Sequence, residues 1–173
     1  MEGRPPAQGP LVSHAGAAEP RDYAGAVYGS LLAASVVVGA GSLGSFPRLE
    51  LALLLLCTGV VFWAAHVLAR LFGARIMYVR LGVKEIRRVC VAEWPIVEAA
   101  VPPAAAVAVT PLLGIGPRGA AWLALTVALA GHVGWSTVAA VRAGAPGRAV
   151  VTAAAVNLVL GLLIVVLKVA LTH

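Results

Sequence analysis

The chain has 173 residues, of which 61% are apolar and 12% charged, with a mean hydropathy of +0.95 and a formal net charge of +6. Soluble domains are roughly half apolar and a quarter charged, so this composition excludes a water-soluble globular protein. One transmembrane helix takes about 20 apolar residues. Stretches of that kind occupy most of the chain and leave no room for a separate soluble catalytic module. The positive charge lies in short segments without interleaved aromatic residues, which argues against a nucleic-acid partner.

Residues 1–21 are rich in Pro, Gly and Ala and lack a basic n-region running into an apolar core. They read as a disordered cytoplasmic tail, so the first span is expected to act as its own insertion signal. That span, TM1, covers residues 23–45, with Asp22 at the N-cap position and Gly41, Gly44 and Pro47 as breakers. Gly25, Gly29 and Ala33 fall on one stripe, a small-residue seam suited to close helix packing within the chain or between copies. TM2 covers residues 49–72 and contains the run LALLLLCTGVVFWAAHVLA with His66 inside it.

Between TM2 and TM3 the segment 74–92 alternates at helical spacing. Phe72, Ile76, Val79, Val83, Ile86 and Cys90 recur every three or four residues, opposite Arg80, Lys84, Arg87 and Arg88. Together with Arg75 this predicts a basic amphipathic interfacial helix. Such a helix holds anionic lipid headgroups, or else docks a partner. TM3, at residues 94–116, is the least apolar span. In EWPIVEAAVPPAAAVAVTP the prolines follow Glu93 and Glu98 closely, which leaves two readings: an ordinary proline-kinked span, or a functional break with backbone carbonyls freed beside an acid. TM4, at 120–141, carries Thr126, His132 and Ser136, and TM5, at 149–171, carries Asn157 and Lys168. The turn AGAPGR joins them as a hairpin.

Orientation follows from basic residues, which resist translocation. Arg4, Arg21, Arg70, Arg75, Arg80, Lys84, Arg87, Arg88, Arg142 and Arg148 fall on one side, against Arg48, Arg118 and Lys168 on the other. The expected topology in a cell inner (plasma) membrane is N-terminus cytoplasmic and C-terminus outside.

Ionisable groups inside a span are costly and therefore candidates for function. Depth places His66 and Glu98 together near the inner face, with Arg70, Glu93 and Asp22 beside them. Imidazole exchanges protons near neutral pH, so this cluster is a candidate proton or cation path, and its alternative is a structural ion-pair network. A deeper set comprises His132, Ser136 and Asn157, expected to bond across the TM4–TM5 hairpin or to line a pore. Lys168, Arg48 and Glu50 are expected to be interfacial anchors, Lys168 snorkelling outward. Cys57, Cys90 and the scattered histidines show no metal-ligand spacing, and neither metal nor other cofactor is expected. No phosphate loop, nucleophile elbow or HExxH is present, which weakens the enzyme class.

The stretches VFWAAHVLARLFG, VAEWPIVEAAVPP and GLLIVVLKVAL resemble those of small multipass membrane proteins of actinobacterial type with no assigned function. The resemblance covers TM2 to TM5 and implies a multipass fold, without catalytic or binding residues. The sequence therefore predicts an all-α membrane protein, a bundle of five transmembrane helices with the interfacial helix between TM2 and TM3. Its expected role is an oligomeric channel or transporter for protons or small cations, a homo-oligomer because so small a bundle has little interior. The alternative is a non-catalytic scaffold that docks a partner through its basic helix.

Overall fold

A computed structural model describes residues 23–42, 47–75 and 82–171, for 41, 42, 74, 75 and 171 the backbone alone. Asp22 and Arg80 lie outside the described residues, as does the side chain of Arg75. The described residues form α1 (Ala24–Ser42), α2 (Arg48–Arg75), α3 (Val83–Glu93), α4 (Pro95–Val109), α5 (Pro117–Arg142) and α6 (Gly147–Leu171). No strand occurs among them.

Four helices are long and apolar enough to cross a membrane: Arg48–Gly73, Val83–Val109, Pro117–Arg142 and Gly147–Ala170. The apolar stretch Ala24–Ala40 of α1 is shorter. At 1.5 Å per residue, the 28 residues of α2 extend about 42 Å, beyond the roughly 30 Å hydrocarbon layer.

The second of these four helices differs from its sequence reading. Of the amphipathic segment expected over 74–92, residues 76–81 lie outside the described residues, 74 and 75 belong to the end of α2, and Val83–Glu93 form α3. α3 then passes into α4 through Trp94, whose backbone stays in the right-handed helical region (φ −55°, ψ −31°). A residue before proline normally avoids that region. Here the Trp94 N–H donates to the Val91 carbonyl, the group that Pro95, having no N–H, leaves without its usual donor. The Trp94 ring also packs edge-on against Trp63, with centroids 5.6 Å apart, and Trp63 Nε1 donates to the Cys90 carbonyl at 3.0 Å. Two indoles on neighbouring helices thus hold the junction.

Of the two readings of TM3, the helix follows that of an ordinary proline-containing span: Pro102 and Pro103 lie inside α4, which continues to Val109. They remove the N–H groups that would reach the carbonyls of Glu98 and Ala99, yet the proline φ is itself helical. The flanking Ile96, Val97, Ala99, Ala100, Ala104 and Val107 are buried among neighbouring helices, so tertiary packing keeps the segment helical where local propensity would not. The helix ends ahead of Pro111, short of the expected 116. There the N–H and Oγ1 of Thr110 both donate to the Val107 carbonyl, the acceptor Pro111 cannot serve.

α4 packs against α1, α2 and α5, and α1 also against α5. Their shared core consists of small and β-branched residues, including Ala33, Ala34, Val37, Ala104, Val107, Ala124 and Ala128, with Leu51, Leu55 and Leu125. Between membrane helices, where lipid is as apolar as leucine, such close contact is the main source of association. The small-residue stripe of α1 is spent within the chain. A Cβ on Gly29 would lie 2.7 Å from the Ile96 carbonyl oxygen and 3.1 Å from Ala99 Cβ, and one on Gly25 would lie 3.3 Å from Ile96 Cγ1. By contrast α6 leans chiefly on α5, where Gly161 faces Leu129, and exposes most of its Leu and Val side chains.

The α5–α6 turn has the expected punctuation. Gly144 takes φ +70°, and the N–H groups of Ala145 and Gly144 return to the carbonyls of Ala140 and Val141. This is the paired closing pattern that requires a left-handed residue after the helix.

Candidate functional site

At the end that carries Tyr23, Trp94 and Arg142 the helices border a cleft of about 2210 Å³. Its cationic side chains come from three helices: Arg70 of α2, Lys84, Arg87 and Arg88 of α3, and Arg142 of α5. Glu98 of α4 is the one carboxylate among the described lining residues. Tyr23, Val27, Tyr28 and Leu31 follow one another along α1, and Asn157 and Leu160 along α6. On α5 the lining residues His132, Ser136, Ala139 and Ala143 recur at intervals of four, three and four, a single helix face. From Arg142 to His132 this face rises by about 15 Å, half of the hydrocarbon thickness.

His132 is 2% exposed. Its Nδ1 lies 3.0 Å from the Val27 carbonyl of α1. A carbonyl only accepts, so Nδ1 carries the hydrogen and, in the neutral ring, Nε2 is a bare acceptor. Nε2 is buried and has no hydrogen-bond partner among the described residues. Val27 O also accepts from Ser30 Oγ at 2.8 Å, which fixes the carbonyl and with it the tautomer. A buried acceptor without a donor costs free energy, and in native structures such a group commonly belongs to a site that something else completes.

The sequence-derived clusters are partly joined and partly separated. Arg70 and Glu93 form an ion pair, Nη1 to Oε1 at 2.5 Å. It ties the end of α2 to α3, with Glu93 buried and Arg70 half exposed. His66 does not line the cleft: its Nδ1 donates to the Phe62 carbonyl of its own helix at 3.1 Å, and its ring lies 5.1 Å from that of Tyr28. Glu98 is half-buried and lines the cleft without a hydrogen bond to His66. The expected bonding across the α5–α6 hairpin is also replaced. Asn157 Nδ2 donates to Ala153 O and Ser136 Oγ to Val133 O, each within its own helix, while His132 reaches α1 instead. Glu98, Arg70, His132 and Asn157, assigned by sequence to two depths, therefore share one cleft.

Sequence reading missed the aromatic wall. Tyr23 stacks on Trp135 at 5.8 Å and lies beneath the Arg142 guanidinium at 5.4 Å. A tyrosine near a span's end was a signal for an interfacial belt, but the partners of Tyr23, Trp135 and Arg142, are over a hundred residues away.

At the opposite end of the bundle, Arg48 Nη2 donates to the Ile115 carbonyl at 2.5 Å, pinning α2 to the α4–α5 turn. Lys168 is 5% exposed, and its Nζ lies 5.3 Å from the centroid of the Trp122 ring. It folds onto α5 instead of snorkelling outward, because the indole face offers a cation partner within reach.

Fold and site together define an all-helical membrane protein with a cationic cleft opening at one end. No protein-family model, curated protein or solved structure matches the chain. Among the described residues no three His, Cys, Asp or Glu side chains are grouped to hold a metal ion.

Proposed function

We propose that this is a five-span inner-membrane transport protein in which the cleft is the cytoplasmic half of a proton path ending at His132. The spans are α1, α2, the continuous α3–α4 helix, α5 and α6, with the N-terminus inside and the C-terminus outside. The clustering of Arg70, Lys84, Arg87, Arg88 and Arg142 at the cleft end supports this orientation. The single observation that carries the functional reading is the bare, buried Nε2 of His132 on the cleft wall. It has a lone pair to take a proton and a fixed Nδ1–H to hold the ring in place. Glu98 supplies a second proton-exchanging group on the same wall.

Of the two cargoes expected from sequence, protons fit this cleft better than small cations. With Arg70 paired to Glu93 and Arg88 beside Glu85, Lys84, Arg87 and Arg142 still outnumber Glu98 around it, and a potential of that sign repels free cations while leaving proton relay through fixed groups open. The cleft is lined by one chain, so the reading does not depend on a homo-oligomer. Proton flux into proteoliposomes under an imposed pH gradient tests it. Wild-type flux above that of empty vesicles, lost in His132→Ala and reduced in Glu98→Gln, is the expected outcome; wild-type vesicles that leak no faster than empty ones refute it.

A second reading has its own support. α3 packs chiefly on α2, and Val83 and Val91 are largely exposed together with Lys84, Arg87 and Arg88. As a scaffold, the protein would present this face to a cytoplasmic partner.

A further inference from the structure

We infer that the cleft seats an amphipathic anion: a phosphate or carboxylate head among the Arg and Lys side chains at its mouth, and a hydrocarbon body along the deeper wall. This deepens the transport reading by naming the class of molecule the same cleft takes, and it rests on that reading only for which end faces the cytoplasm.

Two features of the lining carry the inference. The first is the source of the charge. Lys84, Arg87 and Arg88 come from α3, and Arg142 faces the same space from α5, so an anion between them meets positive charge from two sides. Arg142 is braced by the Tyr23 ring, and Arg side chains suit planar or tetrahedral oxyanions. The second is the order of polarity with depth. Moving away from the mouth, α1 presents Tyr23, then Val27, then Leu31, and α6 presents Ala153, then Asn157, then Leu160. Along α1 the charged mouth is followed by aromatic and then aliphatic lining, which suits the head and chain of an amphiphile, while Ser136 and His132 of α5 and Asn157 of α6 keep the rest of the wall polar. The volume of about 2210 Å³ exceeds the usual 300–1,000 Å³ of drug-sized sites and accommodates an acyl chain. A small hydrophilic anion would leave Leu31 and Leu160 uncovered.

The head chemistry is shared by an acidic phospholipid and a free fatty acid, and the test separates these sources. Full-length protein in detergent is mixed with phosphatidylglycerol, with phosphatidylcholine of identical chains, with laurate or with inorganic phosphate. Retention is then read by native mass spectrometry and by competition with a fluorescent fatty acid. Phosphatidylglycerol retained over phosphatidylcholine identifies the lipid source, and displacement of the probe by laurate alone identifies the free acid. Either result, with inorganic phosphate unable to compete, supports the inference. Equal retention of the two phospholipids combined with no competition by laurate overturns it.

Two variants separate the cleft from the outer surface of α3. Arg142→Gln, across the cleft from α3, and Leu160→Trp, which fills the apolar wall without changing charge, each weaken binding by about fivefold or more. Replacing Lys84, Arg87 and Arg88 together by Gln weakens it by at least about tenfold. If the triple variant alone loses affinity, the head sits on the outside of α3 and the cleft assignment is wrong. Binding without proton flux leaves this inference standing and removes the transport reading; flux without binding does the reverse.

Discussion

The two ends of the bundle solve the same problem in different ways. At the end holding Arg48 and Lys168, two cationic side chains fold back onto protein: Arg48 onto the Ile115 carbonyl and Lys168 onto the Trp122 face. The helices there close on a core of Ala, Val and Leu. At the end holding Tyr23 and Arg142 five cationic side chains surround a cleft that reaches a histidine with an unmatched nitrogen. Both ends use polar groups to join helices, the closed end through Arg48 and the open end through the Arg70–Glu93 pair and the Arg142–Tyr23 contact. The open end differs in setting these groups around a cleft whose wall includes His132.

The sharpest way to break this comparison is through the seam that supports both ends. Gly29→Ala places a methyl 2.7 Å from the Ile96 oxygen, and the α1–α4 contact cannot open without disturbing the core. A loss of about 1–3 kcal/mol is expected in thermal unfolding in detergent. A Cβ added at Gly39, on the same helix, would meet nothing within 4 Å, so Gly39→Ala is expected to be neutral or stabilising by up to about 1 kcal/mol. Equal effects at the two positions would mean that the seam does not hold α1.

His132→Leu should separate structure from activity. It removes the bond to Val27 O and also the bare acceptor, so a stability change of about 1 kcal/mol or less is expected, measured by the same unfolding assay, together with loss of proton flux. A collapse of folding would instead assign His132 to the framework. At the closed end Lys168→Met should cost about 0.5–1 kcal/mol through the lost contact with Trp122 and leave flux unchanged. A flux defect there would contradict the division of labour between the ends. The smallest effect is expected for Glu93→Gln. Its partner Arg70 is half exposed, and pairs of that kind contribute a few tenths of a kcal/mol up to about 1; unfolding of the double variant with Arg70→Gln measures the coupling.

Much of the fold was legible because helix length and apolar content are properties of contiguous residues. The stretches around TM2, TM4 and TM5 correspond to α2, α5 and α6 to within a few residues, and the AGAPGR turn is marked by its glycine. The prolines of TM3 left two readings open. Pro102 and Pro103 are helix breakers by local chemistry, but α4 is enclosed by α1, α2 and α5, and packing outweighs two missing hydrogen bonds. Glu98, Arg70, His132 and Asn157 were visible as polar groups in an apolar context. Their meeting place was not, since it depends on helix rotation and splay. The bond from His132 to Val27 spans 105 residues, and nothing local to either residue announces it. From sequence His66 belonged to the inner-face cluster and His132 to the deeper set, yet the His66 ring packs on Phe62 O and Tyr28 and it is His132 that lines the cleft.

The central claim is that water and charge reach the middle of the bundle from one end only, through a cationic cleft. Ser136, one helical turn from His132 on the cleft wall, is the position to probe. In a background with Cys57 and Cys90 replaced by Ser, Ser136→Cys is reacted in sealed, oriented vesicles with membrane-impermeant methanethiosulfonates, one anionic and one cationic. The account predicts labelling from the cytoplasmic side alone, with the anionic reagent faster by about tenfold, and no labelling of an Ala33→Cys control in the core. Labelling from neither side, or faster reaction with the cationic reagent, would contradict it.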